Sequence, residues 1–282
     1  MASSTKLYEL KNAKAAMLTK HGKASLIKPS LHKFGIDIVT TEAFDTDLLG
    51  TFSGEVERTM TPQNCAARKA RLACELTGLE LGIGSEGSFG GGPYPGLVNW
   101  DTEIIVLYDS RWDKEITAVV SGPFSVGKIK TESLEDLKKQ IANHSSQQAW
   151  IFRGPEKNHK GLQSFQAVYS ALQASALIEN DELTESLSLE PDLRAMHCPE
   201  RQNYIRQTAE QLAQRIQSLC PSCAIPDFWP TDVERGLACR SCGRPTKSIR
   251  AKISVCSECN HSEVVNVDRE AAEPAECQWC NP

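Results

Sequence analysis

Eight of the eleven cysteines fall into four Cys-x-x-Cys pairs, Cys220/Cys223, Cys239/Cys242, Cys256/Cys259 and Cys277/Cys280. A pair with this spacing presents two thiolates to one ion, and two pairs complete a tetrahedral set. The eight ligands are therefore read as two closed structural zinc sites. Few apolar residues lie between the pairs, so metal binding must supply much of the folding free energy, on the order of 10 kcal/mol per site. Redox Cys-x-x-Cys motifs need a βαβ context that is missing here; iron–sulfur ligation stays open as an alternative. The pairing also stays open. Cys239/Cys242 with Cys256/Cys259 would make a zinc ribbon across the strand-like SIRAKISV, while sequential and interleaved pairings fit equally. His261 is read as a surface residue. A four-thiolate site leaves no position for a substrate water, so these ions scaffold or recognise and do not catalyse. Arg240, Arg244, Lys247, Arg250 and Lys252 surround the middle pairs; they read as a solvated face, with phosphate contact as the alternative.

A second set of chemically able residues lies nearer the N-terminus. At Leu18–Lys23 a strand gives way to a helix through a polar turn, where free backbone amides favour an anion and Lys20 and Lys23 add positive charge. Downstream come the polar loop Ser53–Arg58, a helix with Arg68, Lys69 and Arg71, the Gly/Ser stretch Gly84–Phe89 around Glu86, and Asp101 with Glu103 at the start of an apolar strand. The stretch Asp192–Arg201 gathers an Asp, a His and two Arg just before a helix. Cys65, Cys74 and Cys198 are scattered and read as small buried hydrophobes.

The elements that must position these groups alternate. AAMLT reads as a strand, KASLIKPSLHKF as a helix interrupted by Pro29, IDIVTTEAF as a strand, and CAARKARLACELTG as a helix starting near Thr61-Pro62 and ending at Gly78. LELGIGSEGSFGGGPYPG begins as a strand and dissolves into a glycine-rich loop. DTEIIVLYDS and EITAVVSG form a hairpin; TESLEDLKKQIANH, GLQSFQAVYSALQASALI and RQNYIRQTAEQLAQRIQSL are helices, and AWIFRG is a strand. This alternation predicts an α/β domain over residues 13–178, a mixed sheet flanked by helices. A linker and connecting helix over 179–219 then leads to a zinc module over 220–282.

The succession of lysine turn, acidic loop, Ala/Lys/Arg helix and acidic Gly/Ser loop over roughly residues 15–110 resembles the inosine triphosphate pyrophosphatase superfamily. That resemblance implies hydrolysis of a nucleoside triphosphate with Mg²⁺. Glu55, Glu57, Glu86 and Asp101 would hold the metal or orient the attacking water. Lys20, Lys23, Arg58 and Lys69 would neutralise phosphate, and Arg194 and Arg201 would grip phosphate or base. The strings GTFSGEVER and SEGSFG and the terminal CxxCNP also resemble a bacterial family described only as a domain of unknown function. Against the enzyme stands a non-catalytic module that senses a nucleotide, with the tail docking protein or nucleic acid.

With 40% hydrophobic and 24% charged residues the chain is of globular type, and a net charge of -5 disfavours a general nucleic-acid coat. No apolar run approaches the roughly 20 residues that cross a bilayer. The expected setting is the cytoplasm, with no membrane partner.

Overall fold

The structure is a computed structural model that describes residues 10, 12–19, 22–44, 60–90, 92–93 and 97–282. Two compact units follow one another, Leu10–Leu212 and Ala213–Pro282.

The N-terminal unit is mixed α/β. Strand β1 (Ala13–Leu18), helix α1 (Lys23–His32) and strand β2 (Ile36–Thr41) form the βαβ opening, and β1 pairs in parallel with β2. Pro29 does not stop α1. Its missing N–H costs a hydrogen bond, but Ile27 and Leu31 on either side of it are fully buried, and their packing holds the helix together. Helix α2 (Pro62–Thr77) starts as its residues dictate: Thr61 accepts a hydrogen bond from the Asn64 N–H, Pro62 occupies the first turn, and Gly78 ends it in the left-handed conformation.

Strand β3 (Leu81–Phe89) returns parallel to β1, and β4 (Asn99–Asp109) and β5 (Lys114–Phe124) continue as an antiparallel meander, giving the order β2-β1-β3-β4-β5. Here the sequence reading needs correction, because Ser85–Phe89 is strand and not loop. The glycines serve close approach: a Cβ at Gly82 or Gly84 would run into the α2 backbone at Ala70 or Ala66. Helix α2 therefore presses directly on β3. Pairing of β1 with β3 stops at Ile83, so residues 84–89 extend past the carboxyl end of β1.

A second, antiparallel sheet has the order β6-β11-β7-β8, from β6 (Ile129–Thr131), β7 (Trp150–Arg153), β8 (Asn158–Leu162) and β11 (Leu187–Pro191). Helices α3 (Leu134–Ala142) and α4 (Phe165–Ala174) start on Ser133 and Ser164 caps. Leu137, Val168 and Leu172 from these helices share a core with Trp150, Phe152, Leu187 and Leu189. Each large apolar side chain fully buried there contributes about 1.5–3 kcal/mol. The acidic stretch after Leu177, which reads as a linker, instead supplies the ribbon β9 (Ile178–Glu179) and β10 (Glu182–Leu183) and the interior strand β11. Helix α5 (Pro199–Gln217) buries Arg201, Ile205, Thr208 and Leu212 in this unit. Its Tyr204 hydroxyl donates to the Pro123 carbonyl at 2.8 Å.

In the C-terminal unit β12 (Pro230–Arg235), β13 (Ile249–Val255) and β14 (Ser262–Asn266) form an antiparallel sheet of that order. Among the described residues, no helix is long and apolar enough to cross a membrane.

Candidate functional site

The four cysteine pairs adopt one repeated turn. In each, the N–H two places after the spacer, at Ala224, Gly243, Asn260 or Asn281, donates to the carbonyl of the first cysteine at 2.8 to 3.1 Å. Ala224, Gly243 and Asn260 all take positive φ, between 59° and 70°. In the first three turns the N–H of the leading cysteine closes the loop on the carbonyl of Ile225, Arg244 or His261. Burial opposes ionisation of Cys256, but the backbone N–H groups of Cys259 and Glu258 outweigh it and hold the thiol down at about 6. The Cys239 thiol is likewise drawn down to about 7 by the Cys242 and Ser241 amides. Their set partners go the other way: despite the Ile225 N–H, burial and the neighbouring thiols push Cys223 up to about 12, and the Cys242 thiol with burial does the same to Cys280, so a bound cation is what would hold all four as thiolates.

The pairing is interleaved. Cys220, Cys223, Cys256 and Cys259 form one set and Cys239, Cys242, Cys277 and Cys280 the other. Cross-pair sulfur distances are 3.6 and 3.5 Å in the first set and 3.9 and 3.7 Å in the second. Four sulfurs about 2.3 Å from a tetrahedral ion lie about 3.8 Å apart, so each group fits such an ion. A ribbon on the two middle pairs is thus not what the chain forms: β13 lies between Cys242 of one set and Cys256 of the other. Among the described residues, these are the sets of three or more Cys, His, Asp or Glu able to surround a metal ion.

The N-terminal unit gathers charge where β3 outruns β1. Lys23, the first residue of α1, follows Gly22, which is left-handed and, as glycine, has no side chain to cap the helix. Its ammonium donates to Ser85 Oγ at 3.2 Å and stands 3.8 Å from Glu103 Oε2. From the opposite face of β3, Glu86 is paired with Lys69 of α2 and accepts from the Cys65 thiol at 3.4 Å. Arg201 of α5 pairs with Glu103 and donates to the Leu193 carbonyl. Gly87 stands opposite Glu103 across the β3–β4 pair, and a Cβ there would meet both the Glu103 carboxylate and the Arg201 guanidinium. All six charged groups are less than 10% exposed, with Asp101 and Glu103 at 0%.

Two of them are displaced from ordinary titration. Burial, then the nearby Arg201 charge, lowers Lys23 to about 8. Burial, then the Glu103 carboxylate, pushes Asp101 up to about 7. Neither Asp101 oxygen has a hydrogen-bond partner among the described residues, nor has Glu103 Oε2. Three carboxylate oxygens without donors inside a protein are costly, and they are the donor type a hard cation takes.

The outcome for the residues expected from sequence is mixed. Lys23, Lys69, Glu86, Asp101 and Arg201 converge; Lys20, Glu55, Glu57 and Arg58 lie outside the described residues. Arg194 turns away to Asp192, with Nε–Oδ1 at 3.0 Å and Nη2–Oδ2 at 2.6 Å, which neutralises the charge that was to grip phosphate. Arg201 faces Glu103 first. Ser85 has no role in the sequence reading and Cys65 reads there only as a small buried hydrophobe, yet its thiol donates to Glu86; a serine or cysteine near a charged position carries no signal until the strand register is known. The other lone cysteines, Cys74 and Cys198, are buried, and burial raises them to about 11 and 12.

A family model described as Domain of unknown function (DUF6671) matches residues 69–282. The chain belongs to this family. The matched span takes in all eight paired cysteines, the SEGSFG string and the charged residues from Lys69 to Arg201, while Lys23 and GTFSGEVER precede it. The comparison with curated proteins returns no match.

Proposed function

We propose that the N-terminal unit is a Mg²⁺-dependent hydrolase of phosphoanhydrides, of the nucleoside triphosphate pyrophosphatase type, and that the C-terminal unit carries two structural zinc ions. The observation that carries the enzyme reading is Asp101: a fully buried carboxylate with neither oxygen partnered among the described residues, beside Glu103, Lys23 and Arg201. Mg²⁺ typically keeps several waters and takes one or two carboxylates with phosphate oxygens. Asp101 and Glu103 Oε2 supply that donor set, and when bound the ion would withdraw charge from the phosphate oxygens.

The chain's own part follows from position. The uncapped start of α1 and the Lys23 ammonium would receive a phosphate group. Arg201 fixes Glu103, and Lys69 fixes Glu86. Glu86 would orient the attacking water and take its proton. The new bond joins the water oxygen to the α-phosphorus, the bond to the bridging oxygen breaks, and pyrophosphate leaves. The mixed sheet and its parallel β1–β3 pair support an inosine triphosphate pyrophosphatase-like scaffold, with ligand at the carboxyl end of β1.

A second reading is favoured by one observation: Lys69 and Arg201 are already committed to carboxylates. Such a unit would bind a nucleotide through Lys23 without turning it over. A panel of nucleoside triphosphates with Mg²⁺ or Mn²⁺, read for pyrophosphate and phosphate, separates the two. Turnover lost in Asp101→Asn and Glu86→Gln supports the enzyme. Mg²⁺-independent binding without turnover leaves the sensor, and no binding at all removes both.

A further inference from the structure

The C-terminal unit carries a feature that scaffolding does not require. Trp279 lies inside the last cysteine turn and is 58% exposed. The Arg244 guanidinium stands over its ring, 4.9 Å from the centroid. Both belong to the same four-cysteine set: Arg244 follows the Cys239/Cys242 turn and Trp279 separates Cys277 from Cys280. The Gln278 amide donates to the Pro245 carbonyl at 3.3 Å, which joins the two loops a second time. An exposed indole thus has a fixed position and a fixed cation over one face, which leaves a base only the other face to stack on.

Of the two loops so joined, the later is preceded by Asp268, Glu270, Glu273 and Glu276, with Glu273 and Glu276 held by Arg240 and Arg269, and the earlier is one-signed in sequence. From Arg235 to Val255 there are six cations, Arg235, Arg240, Arg244, Lys247, Arg250 and Lys252, and no carboxylate. Arg240 and Arg250 are held by Glu273 and Glu234. Arg235, Arg244, Lys247 and Lys252 are exposed and make no ion pair among the described residues. Arg235 donates to the Lys247 carbonyl at 2.8 Å, which sets its charge beside Lys247, three residues along the chain from Arg244.

We propose that the indole and these cations form a binding platform for single-stranded nucleic acid, with one unstacked base on Trp279 and the adjoining phosphates on Arg244, Lys247 and Arg235. An exposed aromatic face stacks any base, and neighbouring cations track the backbone without reading sequence. Base-paired duplex hides its base faces and cannot use the indole. The shared chemistry of RNA and DNA strands is enough for the site, so both are tested. Three phosphate contacts predict a logarithmic salt slope of about -2 for a single strand.

The test uses the full zinc-loaded chain and fluorescence anisotropy of labelled twelve-nucleotide oligouridine, oligothymidine and a duplex of equal length, between about 50 and 200 mM salt. Single strands should bind with the stated slope and the duplex about tenfold more weakly. Trp279→Ala should weaken single-strand binding about tenfold with unchanged zinc content, and Trp279→Phe should retain most of it. Arg244→Gln should flatten the salt slope by about 0.7. Should Trp279→Ala lose zinc, the Trp279→Phe and Arg244→Gln results decide. Equal binding of duplex and single strand, no effect of the Trp279 and Arg244 changes, or no binding at the lowest salt each overturns the platform. A preference between oligouridine and oligothymidine assigns the strand type.

Discussion

The two candidate sites are built in opposite ways. The thiolate ligands lie within short turns, each repeating one hydrogen-bond pattern, so local spacing nearly specifies them. The charged cluster of the N-terminal unit draws Lys23, Lys69, Glu86, Asp101, Glu103 and Arg201 from α1, α2, β3, β4 and α5, and no local pattern joins them. What joins them is register: Gly87 opposite Glu103, Phe89 opposite Asp101, and the early end of β1. A site written in turns survives as a sequence motif, whereas one written in topology is visible only after folding.

Removal of metal should break this contrast most severely. Stripping zinc with a chelator should unfold the C-terminal unit, at a cost on the order of 10 kcal/mol per site. The N-terminal unit, with its own apolar core, should keep its cooperative melt. Hydrogen exchange resolved along the chain checks this, and global unfolding would refute the separation. Because the two sets interleave, Cys239→Ser should lower zinc content from two ions per chain to less than one, the shared β13 being held from both ends. Retention of one full ion would point to independent sites.

The next effect concerns the buried Arg201–Glu103 pair. Arg201→Ala leaves the buried Glu103 with only the Lys23 ammonium, 3.8 Å away, and should cost about 3–5 kcal/mol in urea denaturation. Replacing both, as Arg201→Met with Glu103→Leu, should restore most of that stability, since a buried pair seldom outperforms well-packed apolar groups. A double variant as unstable as the single one would make the pair a scaffold element and weaken its assignment to chemistry.

Asp101 sharpens the same comparison through pH. Its folded-state pKa of about 7 lies above the ordinary carboxylate value. Its contribution to stability is therefore fully present below about pH 4 and is lost as pH rises through about 7. Asp101→Asn removes that dependence, so the variant should gain about 2–3 kcal/mol over the parent between pH 5 and pH 8. Gain of stability with loss of turnover is the signature of a carboxylate kept for function. Equal pH profiles would mean that Asp101 is solvated or paired in solution.

The fold was legible wherever local chemistry decided it. The Thr61-Pro62 start and Gly78 end of α2, the β4–β5 hairpin and the Ser133-capped α3 follow from their residues. Two features resisted. Gly84 and Gly87 read as part of a Gly/Ser loop because a strand pressed by a helix and a side-chain pair needs the same residue as a turn does. Cysteine pairing resisted because intervening segments of similar length cost nearly equal closure entropy, leaving the sheet to choose. Arg194 and Arg201 looked alike in sequence; only their neighbours Asp192 and Glu103 gave them different charges to satisfy.

The smallest effect tests whether the repeated turn itself is the determinant. Gly243 and Asn260 occupy their left-handed positions at low cost, but Ala224, with φ 59°, carries a Cβ there. A left-handed L-residue costs about 1–2 kcal/mol, while glycine loses about 0.5–1 kcal/mol more conformational freedom on folding than alanine. The strain term is the larger, so Ala224→Gly should stabilise the C-terminal unit by up to about 1 kcal/mol. The effect should appear as tighter zinc retention against a competing chelator at the Cys220/Cys223/Cys256/Cys259 set, with the other set unchanged. Gly243→Ala, the reverse change at the equivalent turn, should loosen the Cys239/Cys242/Cys277/Cys280 set by a similar amount, since among the described residues nothing lies within 4 Å of a Cβ there and the backbone conformation is what opposes it. If the two substitutions do not move their own sites in opposite directions, the turns are shaped by the metal and not by their residues, and the legibility of this site would rest on the cysteines alone.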